Sequence, residues 1–278
     1  MPAWGPAFGE PEDPHAGRDP SVWPRHHLPA GTRPLRISVA DPCRRRLRRN
    51  VCPKPNSSTM HVEDSNGPDG CGIFFRTSKL ERKREEMFVL EADERITTNS
   101  VCIVVILRTT ATTTTGAGRE FCVATTHLKA KSGCEERRRQ QGTHLLRHLT
   151  DHYKPLPVIV AGDLNGGHDE PMYAVFRSSE LRMRSAYSLL LASSDAEPDY
   201  TSWKIRGRSP TSVGAGRVAE DSQVKVARTI DHVWFSSDRF AVTALCSVPT
   251  PEELGPDRLP SRRYPSDHLS LVVDFLLF

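Results

Sequence analysis

The sequence predicts an α/β layered domain, and two observations lead to it. Short β-branched and aromatic runs bounded by turn residues recur along the chain, and stretches with helical periodicity lie between them. Strands interspersed with helices are the pattern of sheets covered by helices. The chain has 278 residues, which leaves room for one core of about 220 residues plus an N-terminal appendage. Hydrophobic residues make up 37%, low for a packed domain, so part of the chain is expected to add little to the core.

Residues 1–50 are expected to be that part. They are rich in Pro, Gly, Arg and His and carry no period of 2 or 3.6, which predicts disorder. The segment ends in Cys43-Arg44-Arg45-Arg46-Leu47-Arg48-Arg49, readable as a solvated arm or as a contact for nucleic acid or a membrane surface. From Val51 the character changes, and a domain is expected over residues 51–278. Gly70–Phe75, Val101–Leu107, Phe121–Leu128, Leu156–Ala161, Thr229–Phe235 and Leu269–Phe275 predict strands. Val101–Leu107 and Pro157–Ala161 are continuously apolar, as strands buried on both faces are. Glu135–His152 predicts a helix with Leu145, Leu146 and Leu149 on its apolar stripe and Arg137–Arg139 on the other side. Pro171–Ser178 predicts a second helix, with Pro171 suited to its first turn. The Thr-rich Thr109–Gly118 and the longer Gly207–Arg228 read as loops.

The formal charge of +4 permits an anionic ligand without arguing for nucleic acid. Seven cysteines with no CxxC pair read as reduced thiols in a reducing compartment. No apolar run approaches the ~20 residues that span a bilayer. Glu10, Glu12, Asp13 and Asp19 make the N-terminus a poor transit peptide. The expectation is a soluble intracellular protein, cytoplasmic, with a mitochondrial location as the alternative.

Four segments at the ends of predicted strands carry chemistry. In Thr125–Lys131, alternation places Phe121, Val123, Thr125 and His127 on one face, and Lys129 and Lys131 continue it if the strand persists. That describes a buried root with a cationic mouth; a solvated strand end fits the same residues. Gly162-Asp163-Leu164-Asn165 follows an apolar run, so Asp163 and Asn165 can share a target: a carboxylate orients the proton of an attacking water and an amide holds it. A plain Asp/Asn turn is the alternative. In Thr229–Phe235, Asp231 shares its face with Val233 and Phe235, a carboxylate that needs a partner if buried, while His232 points the other way as a structural residue. His268, in Tyr264-Pro-Ser-Asp-His-Leu269, suits the role of that partner, its tautomer fixed by the carboxylate.

The strings THLKAKSG, VIVAGDLN, RTIDHVWF and YPSDHLSLV resemble, in order, the late motifs of the endonuclease/exonuclease/phosphatase superfamily. Asn66–Cys71, Ser185–Tyr187, Glu197–Arg206 and Gly255–Pro260 resemble segments of its deadenylase-related branch. The resemblance runs from about Val51 to Phe278. It implies a four-layer α/β sandwich, two sheets face to face flanked by helices, and a Mg²⁺-dependent phosphoesterase. The branch is grouped with poly(A) deadenylases, acting 3′ to 5′ on RNA, and is associated with removal of the 2′-phosphate of NADP⁺ and NADPH. By resemblance Asp163 and Asn165 orient the nucleophile, Asp231 and His268 form a dyad, and His127 contacts phosphate. Lys54, Lys129, Lys131 and Arg206 hold substrate phosphates, and Asp267 assists the metal.

The resemblance also sets an expectation of incompleteness. The family places its principal metal-binding glutamate in a Gln-Glu motif and an asparagine in a Trp-Asn motif, both upstream of the Lys54 segment. Neither dipeptide occurs in this sequence. The chain is therefore expected to lack the family's first strands, and a non-catalytic or truncated member stands as an alternative to an active enzyme. The low aromatic content, 7%, favours a small dinucleotide over single-stranded RNA, whose binders add aromatic platforms to a basic groove.

Overall fold

The computed structural model describes residues 35–39, 47–57, 68–93, 96–110, 118–189, 197–206 and 224–278. A six-stranded mixed sheet forms the centre, in the order β4 (Leu80–Asp93), β5 (Ile96–Thr109), β6 (Glu120–His127), β7 (Val158–Asp163), β11 (Asp231–Ser236) and β8 (Met183–Ser185). Its one parallel pair is β6 with β7, joined by the crossover helix α1 (Glu135–Tyr153). The apolar runs read from the sequence sit here, and Cys102, Ile103, Val104 and Val105 are at most 1% exposed because both sheet faces are covered.

Alternation divides these strands between two cores. On one face Leu145, Leu146 and Leu149 of α1 and Met172, Tyr173 and Phe176 of α2 (Pro171–Arg177) pack on Cys102, Val104, Ala124, Val160 and Trp234. Gly142 lets the helices approach, since a Cβ there would lie 3.3 Å from the Phe176 ring. On the other face Ile103, Val105, Val123, Ile159 and Phe235 meet Ile73 and Phe75 of β3 (Gly70–Arg76), Phe240 of β12 (Phe240–Leu245) and Val273 and Phe275 of β13 (Leu271–Leu277). Each fully buried Leu, Ile or Phe contributes about 1.5–3 kcal/mol. The second layer of strands is β1 (Leu35–Val39), β13 and β12 in one sheet and the hairpin of β2 (Leu47–Pro53) with β3. The result is an α/β sandwich of two facing strand layers with α1 and α2 on one outer side. Beside it, β9 (Ser202–Arg206) pairs with β10 (Val224–Arg228), and a one-turn helix α3 (Pro251–Leu254) is closed by a Thr250–Glu253 capping box.

Several expectations are corrected. Disorder through residue 50 fails for Leu35–Val39, which pairs antiparallel with β13, and for the start of β2. The expected loop Gly207–Arg228 ends in a strand, β10. Arg138 is not on the solvated side of α1 but 1% exposed. The strand at His127 stops there, so Lys129 and Lys131 do not continue its face; Lys131 has φ +88° and is exposed. The fourteen-residue β4 is an edge strand that the sequence reading passed over. All six cysteines among the described residues are free thiols, five of them buried. No helix among the described residues is long and apolar enough to cross a membrane.

Candidate active site

Three neighbouring strands of the central sheet end side by side. His127 of β6 stands in register with Asp163 of β7, and Asp163 stands opposite Asp231 of β11. Adjacent strands lie about 4.8 Å apart, so the topology alone lines up an imidazole and two carboxylates. His127 Nε2 is 3.5 Å from Asp163 Oδ2. Gly162 makes this arrangement sterically possible: its φ is +155°, and a Cβ would lie 2.2 Å from the Thr126 carbonyl oxygen.

His268 arrives from the segment before β13, held by a bridge to Ser202 of β9. Its Nδ1 donates to Asp231 Oδ2 at 2.8 Å. The Thr201 hydroxyl donates to the same oxygen at 2.7 Å and accepts the Ile230 and Asp231 backbone N–H groups, both at 3.0 Å. The buried carboxylate foreseen at Asp231 thus has two side-chain partners, of which Thr201 was not foreseen. Asn165, at φ +53°, donates its backbone N–H to Asp163 Oδ1 at 2.9 Å, and its Nδ2 donates to the Leu128 carbonyl at 3.1 Å.

These contacts set the charges. Burial pushes the Asp163 carboxyl up to about 6, and the neighbouring Asp231 charge adds to it. The hydrogen bond to Asp231 raises the His268 imidazole above its ordinary value despite burial. His127 is lowered, first by burial and then by the Lys54 and His268 charges.

A cleft of about 330 Å³ opens beside His127, lined by Lys54, Thr98, Asn99, Ser100, His127, Leu128, Lys129, Ala130 and Arg137. Lys54 Nζ pairs with Asp69 Oδ2 at 2.6 Å, and Asn99 holds the residues after Lys54 by bonding the Asn56 N–H and C=O at 2.9 and 2.8 Å. The Lys129 backbone N–H donates to Gln141 Oε1 at 2.9 Å. Beneath it Arg138 grips both oxygens of Glu170, at 2.7 and 2.8 Å, and the Lys129 and Lys131 carbonyls, at 3.0 and 2.8 Å. Sequence reasoning missed Arg138 and Gln141 because their partners are distant in the chain. Of the expected phosphate ligands, Lys54 and Lys129 line the cleft and Lys131 does not. Arg206 ends β9, and its side chain lies outside the described residues. Asp267 is ion-paired with Lys204.

Asp163, Asp231 and His268 offer ligand atoms all within 4.8 Å of one another. Two carboxylates this close, one with a raised pKa, form an anionic pocket that a dication relieves, and hard divalent ions take oxygen ligands of this kind. The donor set fits a divalent cation.

Comparison with known proteins identifies the family. Residues 19–268 match the Endonuclease/Exonuclease/phosphatase family. Rat nocturnin is 41% identical over 226 residues, covering 80% of this chain and 48% of its own length, and human nocturnin is 40% identical over 225 residues, covering 80% and 47%. The chain thus spans about half the length of these relatives. The human nocturnin catalytic domain with bound sulfate anion superposes with a TM-score of 0.67 and 34% identity, over 84% of this chain and 73% of that one. ANGEL2, a 2′,3′-cyclic phosphatase solved with adenosine-2′,3′-vanadate, shares the fold, with a TM-score of 0.62 and 18% identity over 84% and 75%. With the family match extending over the whole central sheet and every described site residue, the chain belongs to the endonuclease/exonuclease/phosphatase family.

Proposed function

We propose that this chain is a nocturnin-like phosphoesterase that removes the 2′-phosphate of NADP⁺ and NADPH with the aid of Mg²⁺. One observation carries the reading: the Asp163, Asp231 and His268 group stands beside a cleft walled by Lys54, His127 and Lys129. An acid–base set next to a cationic wall suits hydrolysis of a phosphate ester, in which charge develops on the phosphoryl oxygens and on the leaving sugar oxygen.

Each side chain then has a part. Asp163, as a carboxylate, orients an attacking water and takes up its proton. Asp231 holds His268 by Nδ1, which leaves Nε2 to give a proton to the sugar oxygen, and the raised pKa keeps that proton available near neutrality. His127, kept neutral by its lowered pKa, donates a hydrogen bond to a phosphoryl oxygen. Lys54 and Lys129 counter the charge on the other oxygens. Mg²⁺ would be held by Asp163 and Asp231 and would supply electrostatic stabilisation of the phosphoryl group. Asp267, already paired with Lys204, has no part in this set.

Among the described residues no Phe, Tyr or Trp lines the cleft, which favours a dinucleotide over poly(A) RNA because single-strand binders stack bases on aromatic platforms. Phosphate release from NADPH and shortening of a labelled oligo(A) should be measured on the same preparation. The expected result is phosphate release without shortening. Shortening alone would transfer the site to the deadenylase reading.

A further inference from the structure

The N-terminal end of α1 carries three consecutive arginines, and the structure treats them differently. Arg138 is buried in its bidentate pair with Glu170, and Arg139 is bidentate to Glu136 at 2.8 and 2.6 Å. Arg137 has no hydrogen bond or ion pair among the described residues, is exposed, and lines the cleft that holds Lys54, His127 and Lys129. A cation in the first turn of a helix also works against the helix dipole. Exposed at the cleft and without a protein partner among the described residues, its guanidinium is free to meet an anion there.

We propose that Arg137 binds a second phosphate of the substrate, distinct from the one hydrolysed, so that the site selects ligands with two separated phosphate groups, as in a 2′-phosphorylated dinucleotide. This rests on the phosphoesterase reading of the same site. Asp163, Asp231 and His268 do not line the cleft, and His127 lies between them and it. The reacting phosphate belongs beside Asp163, and the cleft adds Arg137, which has no carboxylate partner among the described residues. Its place beside Lys129 is tied from below, because Arg138 bonds the Lys129 carbonyl while sitting next to Arg137 on the helix. A guanidinium is suited to two parallel hydrogen bonds to one phosphate, which a point charge cannot match.

The test is calorimetric binding of NADP⁺ and of adenosine 2′-monophosphate to the wild-type chain, R137A, R137K and R139A, with phosphate release followed in parallel. R137A should weaken NADP⁺ binding about tenfold, the scale of one lost charge-assisted bond, and change the monophosphate less than twofold. R137K should recover part of the loss. R139A, which removes the same charge from the same turn, should leave both ligands unchanged. Equal weakening of both ligands, or no effect of R137A on NADP⁺, would overturn the assignment, as would an equal effect of R139A. If the wild-type chain binds NADP⁺ with this pattern but releases no phosphate, the catalytic reading fails and the Arg137 assignment stands.

Discussion

Arg138→Ala tests how the cleft is held. Arg138 is 1% exposed and makes four hydrogen bonds: two to Glu170 and one each to the carbonyls of Lys129 and Lys131. Removing one member of a buried ion pair leaves the other charge uncompensated, at about 3–5 kcal/mol. The side chain of Glu170 is 18% exposed, so water recovers part of this, and a loss of about 3 kcal/mol is expected. The two carbonyls lie on partly exposed residues and add less than the full 1–3 kcal/mol or so of a buried orphan. Urea unfolding followed by circular dichroism reads the loss as a lower midpoint at unchanged slope. In a double-mutant cycle, Arg138→Ala with Glu170→Ala should lose less than the sum of the two single variants, since each single variant strands its partner. A loss below about 1 kcal/mol, or strict additivity, would refute the idea that this pair is a structural pin.

Two further outcomes follow from the charges. Asp163 has a folded-state pKa of about 6 against an ordinary value of 3.8, so the folded state binds its proton more tightly than the unfolded one. Stability therefore falls as pH rises from about 4 to about 6, and above that the deficit is of order 3 kcal/mol; in EDTA at pH 8, Asp163→Asn should be more stable than wild type, and added Mg²⁺ should narrow the gap. His268 is shifted upward by its bond to Asp231, so its contribution to stability is present below pH 6.5 and lost as pH rises through the raised pKa. NMR titration of the imidazole should show a midpoint above 6.5 that drops in Asp231→Asn; an unmoved midpoint would remove Asp231 as the partner.

Much of the site was legible because strand alternation is a strong local signal. Asp231 among Val233 and Phe235, and Asp163 at the end of an apolar run, had to lie at strand ends facing the interior, and the register of β6, β7 and β11 brings them together. His268 was legible as the partner of Asp231, but the other groups that hold the site were not. Thr201 lies 30 residues from Asp231 and Glu170 lies 32 from Arg138, and no local period encodes such pairings. Lys131 was misplaced because the strand ends at His127, four residues earlier, and its own φ of +88° is not that of a strand. The charged sequence of β4 hid a strand because an edge strand with register shifts at Arg82/Arg84 and Val89/Glu91 does not alternate cleanly. Arg137 looked like its neighbours in sequence; their glutamate pairs and its own place in the cleft separate it from them.

The central claim is that Asp163 and its neighbours hydrolyse a phosphate ester with a divalent ion. The most direct test is phosphate release from NADPH by the wild-type chain, with Mg²⁺ and with EDTA, beside a folded Asp163→Ala variant. The account predicts release that requires Mg²⁺, stops in EDTA and is absent in Asp163→Ala. No release from the wild-type chain, or release that survives Asp163→Ala, would contradict it.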